Sequence, residues 1–259
     1  MKIAVAGKGG VGKTTVSAAL VRALAEQGQQ VLAIDADPNN CLGRALGFPN
    51  ELLDQIKPIS EMKELLAERA GTTEGSTFFS LNPPVDDLLE KYSVAQGSIS
   101  LLVMGSVTEA GAGCVCPESS VLKALVRYLV RGTNMALVMD MEAGLEHLGR
   151  ATAQYVDALL IVADSTASGA MTAVRIARLA GQLELNTPGI VLNKVKSRDA
   201  TQRARQELPA LPVIGNLPFT PALEESDALP WQSSGEFADE VRRLKAYLES
   251  SLTARAGRP

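Results

Sequence analysis

The run Gly7-Lys8-Gly9-Gly10-Val11-Gly12-Lys13-Thr14 has the residue types and spacing to hold a polyphosphate. Its glycines let successive backbone N–H groups converge on one point as an anion nest. A helix opening at Lys13 adds the positive end of its dipole. In such a loop Lys13 reaches the β- and γ-phosphates, and Thr14 offers its hydroxyl to Mg²⁺. Gly7, Lys8, Gly9, Gly10, Val11, Gly12 and Thr15 complete the binding surface. A glycine-rich turn can match this pattern by chance, but here an apolar strand precedes it and a helix-period stretch follows. The expectation is a site for a nucleoside triphosphate, ATP, with Mg²⁺.

Carboxylates close two apolar runs. Asp35-Ala36-Asp37-Pro38-Asn39-Asn40 follows Gln30–Ile34, and Asp140 ends Val138-Met139-Asp140. Acids at the carboxyl ends of parallel strands lie beside a nucleotide crevice. After a phosphate loop, Asp140 is placed to hold Mg²⁺ through a water, and Gly144 to let backbone approach a γ-phosphate. The residues before Pro38 equally suit an Asx-type turn.

A third constellation is Cys114-Val115-Cys116. In extended backbone, residues i and i+2 point the same way. A disulfide across that step is strained, and two thiolates leave a Zn²⁺-like ion short of four ligands. A twofold dimer brings such a patch to its own copy. The spacing therefore suits a four-thiolate site shared by two chains, or simply two cysteines in a tight loop. Cys41 reads as a small buried apolar residue, and His147 as structural or part of the segment after Asp140.

These groups need a scaffold. Apolar runs rich in Val, Ile and Leu predict strands at Lys2–Ala6, Gln30–Ile34, Phe78–Leu81, Ser100–Met104, Ala136–Met139, Ala158–Ala163, Gly189–Leu192 and Pro212–Gly215. Helix-period stretches at Thr14–Gln27, Ser119–Val130, Ser168–Gln182 and Ala200–Leu208 lie between most of them. The alternation predicts an α/β fold, a mostly parallel twisted sheet with helices on both faces. A last helix, Glu236–Ser250, carries Phe237, Val241, Leu244 and Leu248 as one docking stripe. Residues 48–97, with one helix at Ile59–Ala70, read as an insertion within a single domain spanning 1–259.

Lys8 is more than phosphate binding needs. Lys8-Gly9-Gly10-Val11-Gly12-Lys13-Thr14-Thr15 resembles the deviant Walker A loop of the MinD/ParA/nitrogenase-iron-protein class of P-loop ATPases. The resemblance implies that Lys8 reaches phosphate oxygens across a dimer interface, like an arginine finger, an effect worth roughly 10³–10⁵ in rate. It implies catalytic roles for Lys8, Lys13 and Asp37, with Asp37 orienting or deprotonating the attacking water. It places Asp35 nearer the Mg²⁺ shell and has Asn193 recognise the adenine amino group, as an amide can. Pro218, Phe219 and Thr220 then wall the base.

Together with Asp35-Ala36-Asp37-Pro38, the run from Asp140 to Arg150, Trp231-Gln232-Ser233 and the intervening C-x-C, the loop is similar to the CooC family. Those proteins are accessory ATPases for nickel insertion into carbon monoxide dehydrogenase. The likeness runs from residue 1 to about 250 and is weakest over 48–97. It implies Ni²⁺ or Zn²⁺ held by Cys114 and Cys116 of both chains of a homodimer. It also implies control of metal capture by nucleotide state, and the apo-dehydrogenase as client.

Rival readings remain. An acetyl-CoA synthase nickel maturation ATPase shares every feature above. A MinD/ParA-type positioning ATPase has the same loop, but its membrane form needs a basic amphipathic C-terminal helix; this one contains Glu236, Asp239, Glu240 and Glu249. In an iron–sulfur reductase the two cluster cysteines are far apart in sequence.

Composition narrows the classes further. The 259 residues have a net charge of −4, so no overall basic footprint for nucleic acid is present. Three cysteines make no disulfide framework, and one histidine makes no histidine-rich metal store. No apolar run reaches the roughly eighteen residues of a membrane span, and the amino terminus lacks a signal-peptide layout. The expected location is cytoplasmic, without membrane or nucleic-acid partners.

Overall fold

The computed structural model describes residues 1–72, 79–105, 117–142, 145, 155–208, 211–223, 228–229, 231 and 235–256. Its centre is an eight-stranded sheet of order β3-β4-β2-β5-β1-β6-β7-β8. The strands are β1 (Lys2–Gly7), β2 (Val31–Ala36), β3 (Ser93–Gln96), β4 (Ile99–Val103), β5 (Ala136–Met141), β6 (Ala158–Ala163), β7 (Ile190–Val195) and β8 (Val213–Pro218). All pairings are parallel except β3 with β4.

The helices are α1 (Lys13–Ala25), α2 (Leu42–Ala45), α3 (Asn50–Leu53), α4 (Lys63–Ala70), α5 (Leu88–Tyr92), α6 (Pro117–Gly132), α7 (Ala167–Gln182), α8 (Arg198–Glu207) and α9 (Gly235–Ala256). Strand side chains alternate between two cores. Ile3, Val5, Val31 and Ala33 face the layer of α1, α2 and α9. Ala4, Ala6, Leu32 and Ile34 face the layer of α4–α8. Apolar residues are needed on both faces, which is why these strands read as continuous apolar runs.

Local chemistry sets the helix starts. Gly12 adopts φ 88 as the residue before α1, a conformation costly for a residue with a Cβ. Thr166 and Ser197 cap α7 and α8 by accepting from the N–H groups of Gly169 and Ala200. The stripe Phe237, Val241, Leu244 and Leu248 of α9 is buried as its spacing predicts.

Two elements differ from the sequence expectation. Phe79, Ser80 and Leu81 of the anticipated strand Phe78–Leu81 are not strand, and Phe78 lies outside the described residues. Ser80 N–H donates to Ala70 O after α4, and Leu81 is 74% exposed. The sheet edge is taken by β3, which folds back on β4 through Gly97-Ser98 with Gly97 at φ 62. The helix expected over Ile59–Ala70 divides into a 3₁₀ turn, Ile59–Glu61, and α4, with Met62 non-helical between them. Ser60 N–H is tied to Met104 O beyond β4, so the chain must bend there.

No helix among the described residues is long and apolar enough to cross a membrane.

Candidate active site

From β1 the chain moves to one side through β2, β4 and β5, and to the other from β6 onward. In a sheet of this kind the ligand crevice opens at the carboxyl ends where the order reverses. The loop Gly7–Thr14 sits there. A Cβ on Gly7 would strike Val162 O of the neighbouring strand, and one on Gly12 would strike the Asn193 amide. Gly10 and Gly12 have φ 81 and 88. Gly9 is exposed, whereas Val11 is buried. Helix α1 has no acidic residue in its first turn and no side-chain cap at Gly12. Its first N–H groups and dipole are thereby directed to an anion rather than to the protein.

The two loop lysines diverge. Lys13 is buried and its Nζ lies 3.9 Å from Asp37 Oδ2, toward β2. Lys8 turns toward β6, where its Nζ donates to Ser168 Oγ at 2.9 Å.

The carboxylates Asp35 and Asp140 are strand residues, each one position before the end of a strand that runs past its expected end. They are register partners on β2 and β5, and both are fully buried. Asp140 accepts from Thr14 Oγ1 at 2.6 Å and from Ser17 Oγ at 3.1 Å. Asp35 accepts from the N–H of Asp37 at 3.2 Å and of Leu42 at 2.8 Å. It thus pins both ends of the 37–41 turn.

Asp37 combines two readings: its Oδ1 accepts from Asn39 N–H at 3.0 Å, an Asx turn, while its Oδ2 faces Lys13. Cys41 is exposed, contrary to expectation. It precedes α2 on the outer side of the turn, and its Sγ donates to Asn39 O at 3.3 Å.

Burial foremost, then repulsion from Asp140, pushes the Asp35 carboxyl up to about 7. The hydrogen bonds from Leu42 and Asp37 oppose the shift. Burial likewise pushes Asp140 up to about 6, against the bonds from Thr14 and Ser17 and the charge of Lys13. Two buried acids in register with a threonine hydroxyl form a hard-oxygen donor set that is electrostatically unsatisfied. That chemistry fits Mg²⁺, which binds through one or two carboxylates plus phosphates and waters.

A cavity of about 80 Å³ brings Gly12 and Thr15 together with Asn193, Lys194, Pro218, Phe219 and Thr220. Residues far apart in sequence thus line one space beside the phosphate loop. Asn193 is buried and its Nδ2 donates to Val11 O at 2.9 Å. The amide therefore also braces the loop, which its sequence position did not suggest. Lys196 Nζ lies 4.5 Å from the centre of the Phe219 ring, stiffening that wall.

Ser17 and Ser168 were missed by sequence reasoning. Ser17 was legible: it follows Lys13 by four positions, on the same helix face. Ser168 follows a strand by an irregular turn, and no spacing rule pointed to it. Cys114, Cys116, Gly144 and His147 lie outside the described residues. Among the described residues, no group of three or more His, Cys, Asp and Glu could hold a metal ion.

Comparison with known proteins gives four findings. The family model for the CobQ/CobB/MinD/ParA nucleotide binding domain matches residues 2–229. The carbon monoxide dehydrogenase accessory protein CooC of Rhodospirillum rubrum is 42% identical over 228 residues, 88% of this chain and 87% of that protein. An uncharacterized ATP-binding protein of Methanocaldococcus jannaschii is 38% identical over 255 residues, 96% of this chain and 97% of that one. Among solved structures, the MinD cell division protein of Aquifex aeolicus superposes with a TM-score of 0.67 at 23% identity. That match covers 96% of this chain and 97% of MinD, and it speaks for the fold alone.

Proposed function

The chain belongs to the CobQ/CobB/MinD/ParA nucleotide-binding family and is a P-loop ATPase, and from that premise we propose that it is a nickel-handling accessory ATPase of carbon monoxide dehydrogenase maturation. The reading takes the similarity to CooC, which spans most of both chains, as a guide to the client. It assigns Cys114 and Cys116 of two chains to one shared Ni²⁺ or Zn²⁺.

One observation carries the link between nucleotide and metal. The segment bearing both cysteines leaves β4 at Gly105, whose N–H donates to Asp35 O at 3.3 Å, and Met104 N–H donates to the same oxygen at 2.8 Å. It re-enters the described structure at Pro117, the start of α6. The cysteine segment is therefore rooted on the residue that pins the 37–41 turn. A change at the γ-phosphate that moves this turn pulls on the root of the metal site, which is the physical content of coupling.

The proposed cycle assigns each group a task. Backbone N–H groups of the loop and Lys13 hold the β- and γ-phosphates. Asn193 accepts the adenine amino group on Oδ1, since its Nδ2 is engaged, and Pro218, Phe219 and Thr220 wall the base. Thr14, Asp140 and Asp35 would hold Mg²⁺, which when bound neutralises charge developing on the phosphates. Asp37 leaves Lys13 once phosphate replaces it and orients the attacking water. Lys8 reaches the phosphates of the partner chain and so makes turnover depend on dimer closure.

Metal titration followed by native mass spectrometry, with and without ATP, tests the reading. One Ni²⁺ or Zn²⁺ per two chains is expected, with tighter dimers when nucleotide is present. Unchanged nickel stoichiometry in Cys114→Ser/Cys116→Ser would remove the metal site from the proposal.

A further inference from the structure

We propose that Ser168 is a positioning residue for Lys8: in the nucleotide-free chain it holds the Lys8 ammonium on its own subunit and sets how readily that ammonium is released for dimer closure. The proposal rests on the trans role given to Lys8 above.

The contact is built rather than incidental. Gly7 is in register with Val162, so the loop leaves β1 directly beside the end of β6. The residues continuing β6 form a braced turn. Asp164 Oδ1 accepts from Thr166 N–H at 3.1 Å and from Thr166 Oγ1 at 2.5 Å. Thr166 Oγ1 in turn accepts from Gly169 N–H at 3.0 Å. A Cβ on Gly169 would collide with the Asp164 carboxylate, so the turn is closed around that position. Ser168 lies between the braced residues, exposed, with its hydroxyl 2.9 Å from Lys8 Nζ.

The chemistry of the contact makes it releasable. The partner is a neutral hydroxyl, whose net hold on a charged donor is modest. It stands in the first turn of α7, which has no acidic residue. The positive end of the helix dipole there repels an ammonium. Phosphate oxygens bind a lysine far more strongly than a hydroxyl does, through charge-assisted bonds. The ammonium is thus parked where it keeps clear of its own phosphate pocket, and it departs when a partner's phosphates come within reach. A carboxylate at the same place would hold it too firmly. Each dimer needs two such releases, so small changes in the hold are squared in the dimer constant.

Two readouts separate this proposal from the reading beneath it. The first is the Lys8 side-chain NMR signal in nucleotide-free protein labelled with ¹³Cε-lysine, assigned by its loss in Lys8→Arg. The second is the dimer constant with a non-hydrolysable ATP analogue, from sedimentation. Ser168→Ala should narrow and shift the Lys8 signal and tighten the dimer by about five- to thirtyfold. Ser168→Thr should restore both values, because it returns the hydroxyl at an exposed position. Ser168→Asp should weaken the dimer by tenfold or more. An unmoved Lys8 signal in Ser168→Ala, or a weaker dimer, overturns the proposal. A moved signal with an unchanged dimer supports the holding contact, rejects its coupling to closure, and places the fault with the trans role of Lys8.

Discussion

Asp140 shows how a site stores unfavourable charge. Its carboxyl is pushed up to about 6, first by burial. The folded chain therefore holds a proton there that the unfolded chain has given up. Below the ordinary carboxylate pKa both states are protonated and no penalty exists. As pH rises toward 6 the penalty grows, and above 6 it is complete. Asp140→Asn keeps the shape: one of the Thr14 and Ser17 hydroxyls rotates to accept from the new amide N–H, and the other goes on donating to the amide oxygen. At pH 8 the nucleotide-free variant should gain on the order of 2–3 kcal/mol, or about 4–10 °C in melting temperature. The gain should vanish below pH 4 in a melting series. Added Mg·ATP should reverse the order, since the native chain alone keeps the full donor set.

Gly12 makes the opposite case at the same scale. Its φ of 88 and the adjacent Asn193 amide leave no room for a methyl group. Gly12→Ala should cost roughly 1–3 kcal/mol in urea unfolding and lower ATP-analogue affinity by at least tenfold in calorimetry. Gly9→Ala, with nothing near its Cβ, should leave the stability of the nucleotide-free chain unchanged.

At the scale of elements, α9 is the strongest test of packing. It closes one face of the sheet against α1 and β8, with Phe237 almost fully buried. Phe237→Ala should cost about 3–5 kcal/mol in urea unfolding. The stripe was readable because four-three-four spacing has one helical meaning. The strand–loop–helix at Gly7–Thr14 was readable for a similar reason, since glycine, lysine and threonine each have a fixed task there. Edge strand β3 was not. Ser93–Gln96 is half exposed and short, so no apolar run marks it, although Gly97-Ser98 is a two-residue hairpin signal. Phe79 misled for the converse reason: it packs against the core from an irregular segment. The serine contact of Lys8 was hidden because it depends on which strands are neighbours, not on spacing along the chain.

For the molecule as a whole, strand order does what no single motif could. Placing β2 beside β5 brings Asp35 opposite Asp140, and placing β6 beside β1 brings Ser168 to Lys8. The acids thereby face the cation site on one side of the phosphate loop, and the second lysine is led away to the other. This separation gives the proposed dimeric cycle its geometry: one lysine serves its own subunit and the other is set aside for the partner.

Strand β1 pairs only with β5 and β6, beginning with Lys2 opposite Leu137. On the ribosome the phosphate loop is thus made well before the neighbours of its strand. At about 5–20 residues per second, its strand waits roughly seven to thirty seconds for a neighbour. Throughout that interval an apolar strand with two open edges is exposed in the nascent chain, which makes it a natural target for chaperones and the segment most prone to aggregate when synthesis stalls.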